Sequence, residues 1–151
     1  MYRGKDVRKF LVENCEGIGK CVKKGEEISY EMALAASKAC KRKFAPEEIV
    51  LLILLDEKGE GKSGTVFTEK GLYQWHEGEK FKKSILYKHI GAFGYGENKM
   101  YITHIIWDRH FTLECGNETD EQEYDTKMND FIGEIIMFLG VWDKYLKKNK
   151  K

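Results

Sequence analysis

The chain has few of the features that betray an activity. Proline occurs once, at Pro46. The four cysteines, Cys15, Cys21, Cys40 and Cys115, form no C-x-x-C pair, and no cysteine–histidine quartet has zinc-finger spacing. The longest strictly apolar run, residues 49–55, is too short to span a bilayer. Excess charge of one sign is missing too. The 26 basic and 25 acidic residues leave a net charge of +1, whereas a general nucleic-acid binder leans further basic. The first residues, Met1 to Asp6, hold no apolar stretch of the signal-peptide kind and carry an acid too early for a transit peptide. The expectation is a cytoplasmic protein with free thiols that binds no nucleic acid.

What is present points to one α+β unit. At 151 residues the chain can bury a core without staples. The apolar period changes at Pro46. Before it, Val7, Phe10 and Leu11 fall at helical spacing, a Gly-Ile-Gly stretch follows, and a polar loop contains Gly25. Ser29 then reads as an N-cap, and Met32, Ala35, Ala36 and Ala39 trace one helical face to about Lys43. Cys40, on that helix, reads as core. The residue before a proline resists the α region, so the helix is expected to end at 45–48. Residues 49–55 read as a strand buried on both faces. Strands are also expected over 65–68, 72–75, 84–90, 100–106 and 110–115, with 91–98 as a bend or bulged loop. A last helix, capped by Asn117 or Thr119, carries Tyr124, Met128, Phe131, Ile132, Ile135, Leu139, Trp142 and Leu146 as one stripe. Ile136, Met137, Phe138 and Val141 lie partly off that stripe. Either the N-terminal helices or a second copy should cover them.

Charge along the chain is uneven. Residues 20–24, 38–43 and 147–151 are basic, and 114–125 are acidic. The final basic run reads as a solubilising tail that suits a helix end.

Two local sequences carry a resemblance. Residues 64–75, Gly-Thr-Val-Phe-Thr-Glu-Lys-Gly-Leu-Tyr-Gln-Trp, have an apolar strand ending in Thr, a charged pair and Gly for the turn, then an apolar–aromatic opening. Residues 85–90, Ile-Leu-Tyr-Lys-His-Ile, flank a polar pair with an aromatic and an isoleucine. With Phe111 and Phe131 in the remaining positions, this resembles bacterial pleckstrin-homology-like domains over residues of about 46–146. The resemblance implies an antiparallel β-barrel of about six or seven strands closed by the long C-terminal helix. Residues 1–45 would be an N-terminal helical extension packed on the barrel, and 46–151 the pleckstrin-homology-like domain. It also implies a binding module and not an enzyme. Phosphoinositide-binding members have a first hairpin with a lysine, a basic residue and then an arginine. Here that loop offers Lys58 and Lys62, and Gly64 stands where the arginine would be.

Other constellations are weaker. Residues 59–63, Gly-Glu-Gly-Lys-Ser, lack the leading glycine and following helix of a phosphate loop, and read as a hairpin. His104 and His110 flank a short turn at 107–109 and are a weak candidate metal pair without a third ligand. Cys115 is surrounded by acids that oppose thiolate formation. Phe93 and Tyr95, spaced by Gly94, are candidate rings for a partner.

The expected function is therefore a non-enzymatic module. It contacts a protein partner or itself through barrel loops or the C-terminal helix, with Lys58, Lys62, Phe93, Tyr95 and Phe138 as candidate binding residues. It needs no cofactor and no metal. A peripheral membrane adaptor with weak anionic-lipid contact is the alternative, and a small inhibitor or immunity-type protein the second.

Overall fold

A computed structural model of the chain describes residues 4–16, 18, 22–54, 62–77, 83–96, 99–104, 110–112 and 121–139. The order begins with helix α1 (Gly4–Asn14), strand β1 (Val22–Lys24) and helix α2 (Tyr30–Ala39). Strands β2 (Leu51–Leu54), β3 (Ser63–Phe67), β4 (Gly71–His76) and β5 (Lys83–Leu86) follow. Then come β6 (Ile90–Gly96), β7 (Lys99–His104), β8 (His110–Thr112) and helix α3 (Glu121–Leu139). All pairings are antiparallel between neighbours in sequence, giving one sheet in the order β1-β2-β3-β4-β5 and a second in the order β6-β7-β8. Among the described residues the two sheets are separate ladders, not one closed barrel.

β2 is the central element. Its sequence is Leu-Leu-Ile-Leu and all four side chains are buried. Alternate residues of a strand point to opposite faces. Leu51 and Ile53 thus join one cluster, with Phe67, Leu72, Ile85, Ile90 and Ile102, and with Met128, Phe131, Ile132 and Ile135 of α3. Leu52 and Leu54 join the other, with Ala33, Ala36, Phe44, Val66 and Trp75. The five-stranded sheet is therefore a middle layer. α3 and the second sheet lie on one side and α2 on the other.

The two N-terminal helices separate. Val7 and Leu11 of α1 enter the α3 side of the core, and Phe10 stacks on Phe138 with ring centroids 4.2 Å apart and planes 8° from parallel. Ile136 is buried at the same end of α3. α2 covers the far face of the sheet, where its small Ala33 and Ala36 allow close approach.

Several local expectations need correction. The polar segment before Gly25 contains a strand, β1, whose Val22 pairs with Ile53. Three residues with a single apolar side chain offer no readable alternation. α2 is capped as expected, with Ser29 Oγ accepting from Met32 N at 3.1 Å, but it ends at Ala39, well before Pro46. Lys41 and Arg42 stop it, both left-handed with φ of 55° and 57°. Pro46 opens a short 3₁₀ turn, Pro46–Glu48. Cys40 is buried, as the C-cap of α2 and not within its run. The strand expected over 84–90 is interrupted by a 3₁₀ turn at Tyr87–His89. The glycine-rich 91–96 stretch is no loop but most of β6, paired with β7 and bulged between Ile90 and Ala92. The expected caps of α3, and the part of its stripe beyond Leu139, lie outside the described residues.

Two glycines are required by close approach. A Cβ on Gly64 would enter the Trp75 ring directly opposite it, and one on Gly71 would meet the backbone of Ile85 and Leu86. The Trp75 ring therefore leaves no room for an arginine at position 64. Gly71→Ala is expected to destabilise the fold by at least about 1–3 kcal/mol, since backbone cannot yield as a side chain can. Lys41→Gly should instead raise stability by about 1 kcal/mol by relieving the left-handed residue. Chemical denaturation of the two variants checks both signs.

Candidate functional site

Two surface regions stand out. The first is a cleft of about 270 Å³ lined by Arg8, Lys43, Glu47, Glu48, Thr68, Glu69, Lys70 and Tyr73. It forms where α1, the segment linking α2 to β2, and the β3–β4 turn converge. The turn is tied internally: Thr68 Oγ1 accepts from Lys70 N and Gly71 N at 3.2 Å each, and Thr68 N donates to Gly71 O at 2.9 Å. The buried Tyr87 hydroxyl donates to Thr68 O at 2.6 Å and anchors the turn from beneath. Arg8 closes one wall, with Nε 3.3 Å from Glu69 Oε1 and Nη2 donating to Glu47 O at 2.8 Å. Glu48 Oε2 accepts from Ala45 N at 2.9 Å and so caps the 3₁₀ turn. Tyr73 lines the cleft, half-buried and tilted on Phe44 with centroids 4.8 Å apart.

The exit from α2 runs into this cleft. Lys38, Lys41, Arg42 and Lys43 are all exposed. Arg42 N donates to Ser37 O at 2.7 Å, and the buried Ser37 hydroxyl donates to Phe44 O at 2.6 Å, so the basic turn is pinned back onto the helix. Among the described residues none of these four cations, nor Lys70, forms an ion pair. Cations at a helix C-terminus are favoured by the dipole, by about 0.3–1 kcal/mol each at the surface.

The second region is the last turn of α3. Met137 is 82% exposed and Phe138 39%, beside the half-buried Phe10.

The sequence-derived candidates scatter. Phe138 lies in this second region. Lys62 is exposed at the foot of β3, where its carbonyl accepts from Glu77 N at 2.7 Å. Phe93 lies in β6, half-buried, with its ring 3.3 Å from where a Cβ on Gly133 of α3 would be. Tyr95 is opposite Met100 in the β6–β7 ladder, and its side chain lies outside the described residues. So do Lys58 and the side chains of His104 and His110. The backbone register places His110 opposite Thr103, one position from His104. Among the described residues no group of three or more histidine, cysteine or acidic side chains is arranged to hold a metal. No described helix is long and apolar enough to cross a membrane.

The charged cleft was missed by sequence reasoning because its walls come from four separate segments. Its only linear signal was the basic run at 38–43. Comparison of the chain with protein-family models, curated proteins and solved structures finds no match.

Burial, and secondarily the nearby Glu48 and Cys40, pushes the Tyr73 phenol above its ordinary value. Burial likewise raises the Cys15 thiol, partly offset by Lys24. Both groups hold their protons more tightly in the folded state. Their contribution is full below the unfolded pKa values and lost as pH rises through the folded ones. Stability should therefore fall on the alkaline side, from about pH 8.5–10 upward. Tyr73→Phe and Cys15→Ala should each flatten that fall in denaturant melts across the alkaline range, and an unchanged slope in both would contradict the assignment.

Proposed function

We propose that this chain is a non-enzymatic binding module built on a pleckstrin-homology-like core, and that its partner is a protein. Two features support the core assignment: strands β2 to β5 and β6 to β8 form two successive antiparallel meanders, and the amphipathic α3 is the next described element. The buried, free Cys15 thiol fits a reducing, cytoplasmic setting.

The observation that carries the binding reading is the end of α3. Two adjacent large apolar side chains, Met137 and Phe138, remain exposed although α1 already supplies Phe10 against the second of them. Methionine adapts its shape to a partner, and aromatics dominate interface energetics. An apolar surface on another protein chain fits this feature better than water does. The hairpin expected to meet lipid offers less, because Trp75 occupies the space an arginine at position 64 would need.

Met137→Glu is the decisive variant, since a side chain this exposed contributes little to folding. Affinity capture from native lysate, with wild type and variant as parallel baits, should yield a protein bound by the first and lost by the second. Sedimentation of the purified chain shows whether that protein is a second copy. A monomeric chain whose captured set is unchanged by Met137→Glu sinks the reading. Binding to anionic vesicles that disappears with Lys62→Ala would favour the membrane adaptor instead.

A further inference from the structure

The basic turn after α2 is separate from the apolar end of α3, and the two involve different side chains. Lys38, Lys41, Arg42 and Lys43 fall within six consecutive positions, all four are exposed, and none is ion-paired among the described residues. Two of them, Lys41 and Arg42, sit at left-handed φ, where glycine would be the unstrained residue. The chain keeps long cations there. The backbone beneath them is fixed by Arg42 N to Ser37 O and by Ser37 Oγ to Phe44 O, so the cations project from a held turn. Lys43 continues into the cleft, and Lys70 reaches the same cleft from the β3–β4 turn.

We propose that this turn and cleft form a docking surface for an acidic segment of a protein partner. Charge complementarity selects the class: the turn presents four cations, of which Lys43 also lines the concave site, where Lys70 adds a fifth. The carboxylates of that site are partly engaged already. Glu69 faces Arg8, and Glu48 caps its own turn. The concave site, with Glu47, Glu48 and Glu69 in its walls as well as Lys43 and Lys70, opposes any anion that enters it and leaves the anionic contact to the rim. It suits a narrow chain that places carboxylates on the rim cations and a side chain over the half-buried Tyr73. This surface does not depend on the proposed contact at Met137 and Phe138.

The test uses the full-length protein and a fluorescein-labelled peptide of alternating glutamate and serine, followed by fluorescence anisotropy. Binding at low ionic strength should weaken steeply as salt is added. The double charge reversal Lys41→Glu with Arg42→Glu should weaken it by at least about tenfold, the loss of two close ionic contacts. Lys127→Glu, an exposed reversal on α3, should change it little. Circular dichroism melts confirm that the variants fold, and the double glycine variant at 41 and 42 removes the charges while relieving the backbone. It should also lose binding. The proposal is overturned if the wild type does not bind the peptide. It is also overturned if Lys127→Glu weakens binding as much as the double reversal, which would mean diffuse attraction. Tighter binding to phosphatidylserine vesicles than to the peptide, lost in the double reversal, would overturn it in favour of a membrane-facing surface.

Discussion

Burial of β2 on both faces is the constraint on which the rest of the structure depends. Four consecutive large aliphatic side chains, Leu51, Leu52, Ile53 and Leu54, cannot be satisfied by a single layer. The strand requires cover above and below, and the two covers come from opposite ends of the chain. α3 supplies one, with α1 beside it, and α2 supplies the other. Each fully buried aliphatic side chain contributes about 1.5–3 kcal/mol relative to exposure, against the opposing cost of ordering the chain. The chain segment before Pro46 is thereby part of the same packed unit as the strands that follow. α2 closes the face that a two-sheet arrangement by itself would leave open.

That layering also places the two surface regions. α1 must pack on the α3 side of the core to bury Val7 and Leu11, which puts Phe10 on Phe138 and brings Arg8 to Glu47 and Glu69. One helix therefore borders both the apolar end of α3 and the charged cleft. On the opposite face, the exit of α2 must turn sharply so that Phe44 and Ile49 can enter the core, with Phe44 against Tyr73. The turn is made by Lys41 and Arg42 at left-handed φ, a conformation that costs about 1–2 kcal/mol per non-glycine residue. The packing on either side of it holds the strain in place.

Polar groups within the middle layer are handled locally. Thr65 and Gln74 are cross-strand partners on the α3 side, and the Gln74 amide donates to Thr65 Oγ1 at 3.1 Å. Thr68 and Tyr87 secure the β3–β4 turn by bonds to backbone oxygens. These contacts set register at one end of the sheet, while the apolar clusters fix it through the middle, because a one-residue slip of β2 would exchange its two faces.

Elements whose signal lies in a single segment are legible in the linear chain. The apolar run at β2, the Ser29 cap with its alanine face, and the stripe from Met128 to Leu139 each state their period locally, and each formed. Gly64 and Gly71 were visible as turn or hairpin residues, but their reason, the Trp75 ring and the β5 backbone, appears only across strands. β1 has too few residues to show a period and exists because the edge of β2 offers it hydrogen bonds. The 91–96 stretch reads as a bend from its glycines, yet pairing with β7 holds it extended. The end of α2 was misplaced because proline is a strong local signal, whereas the left-handed stop at Lys41 and Arg42 is imposed by the need to bury Phe44. Which helix covers which face, and hence which cations meet in a cleft, depends on how all the elements pack together. Amphipathic faces declare that they need cover, and nothing in a local period says which surface will provide it.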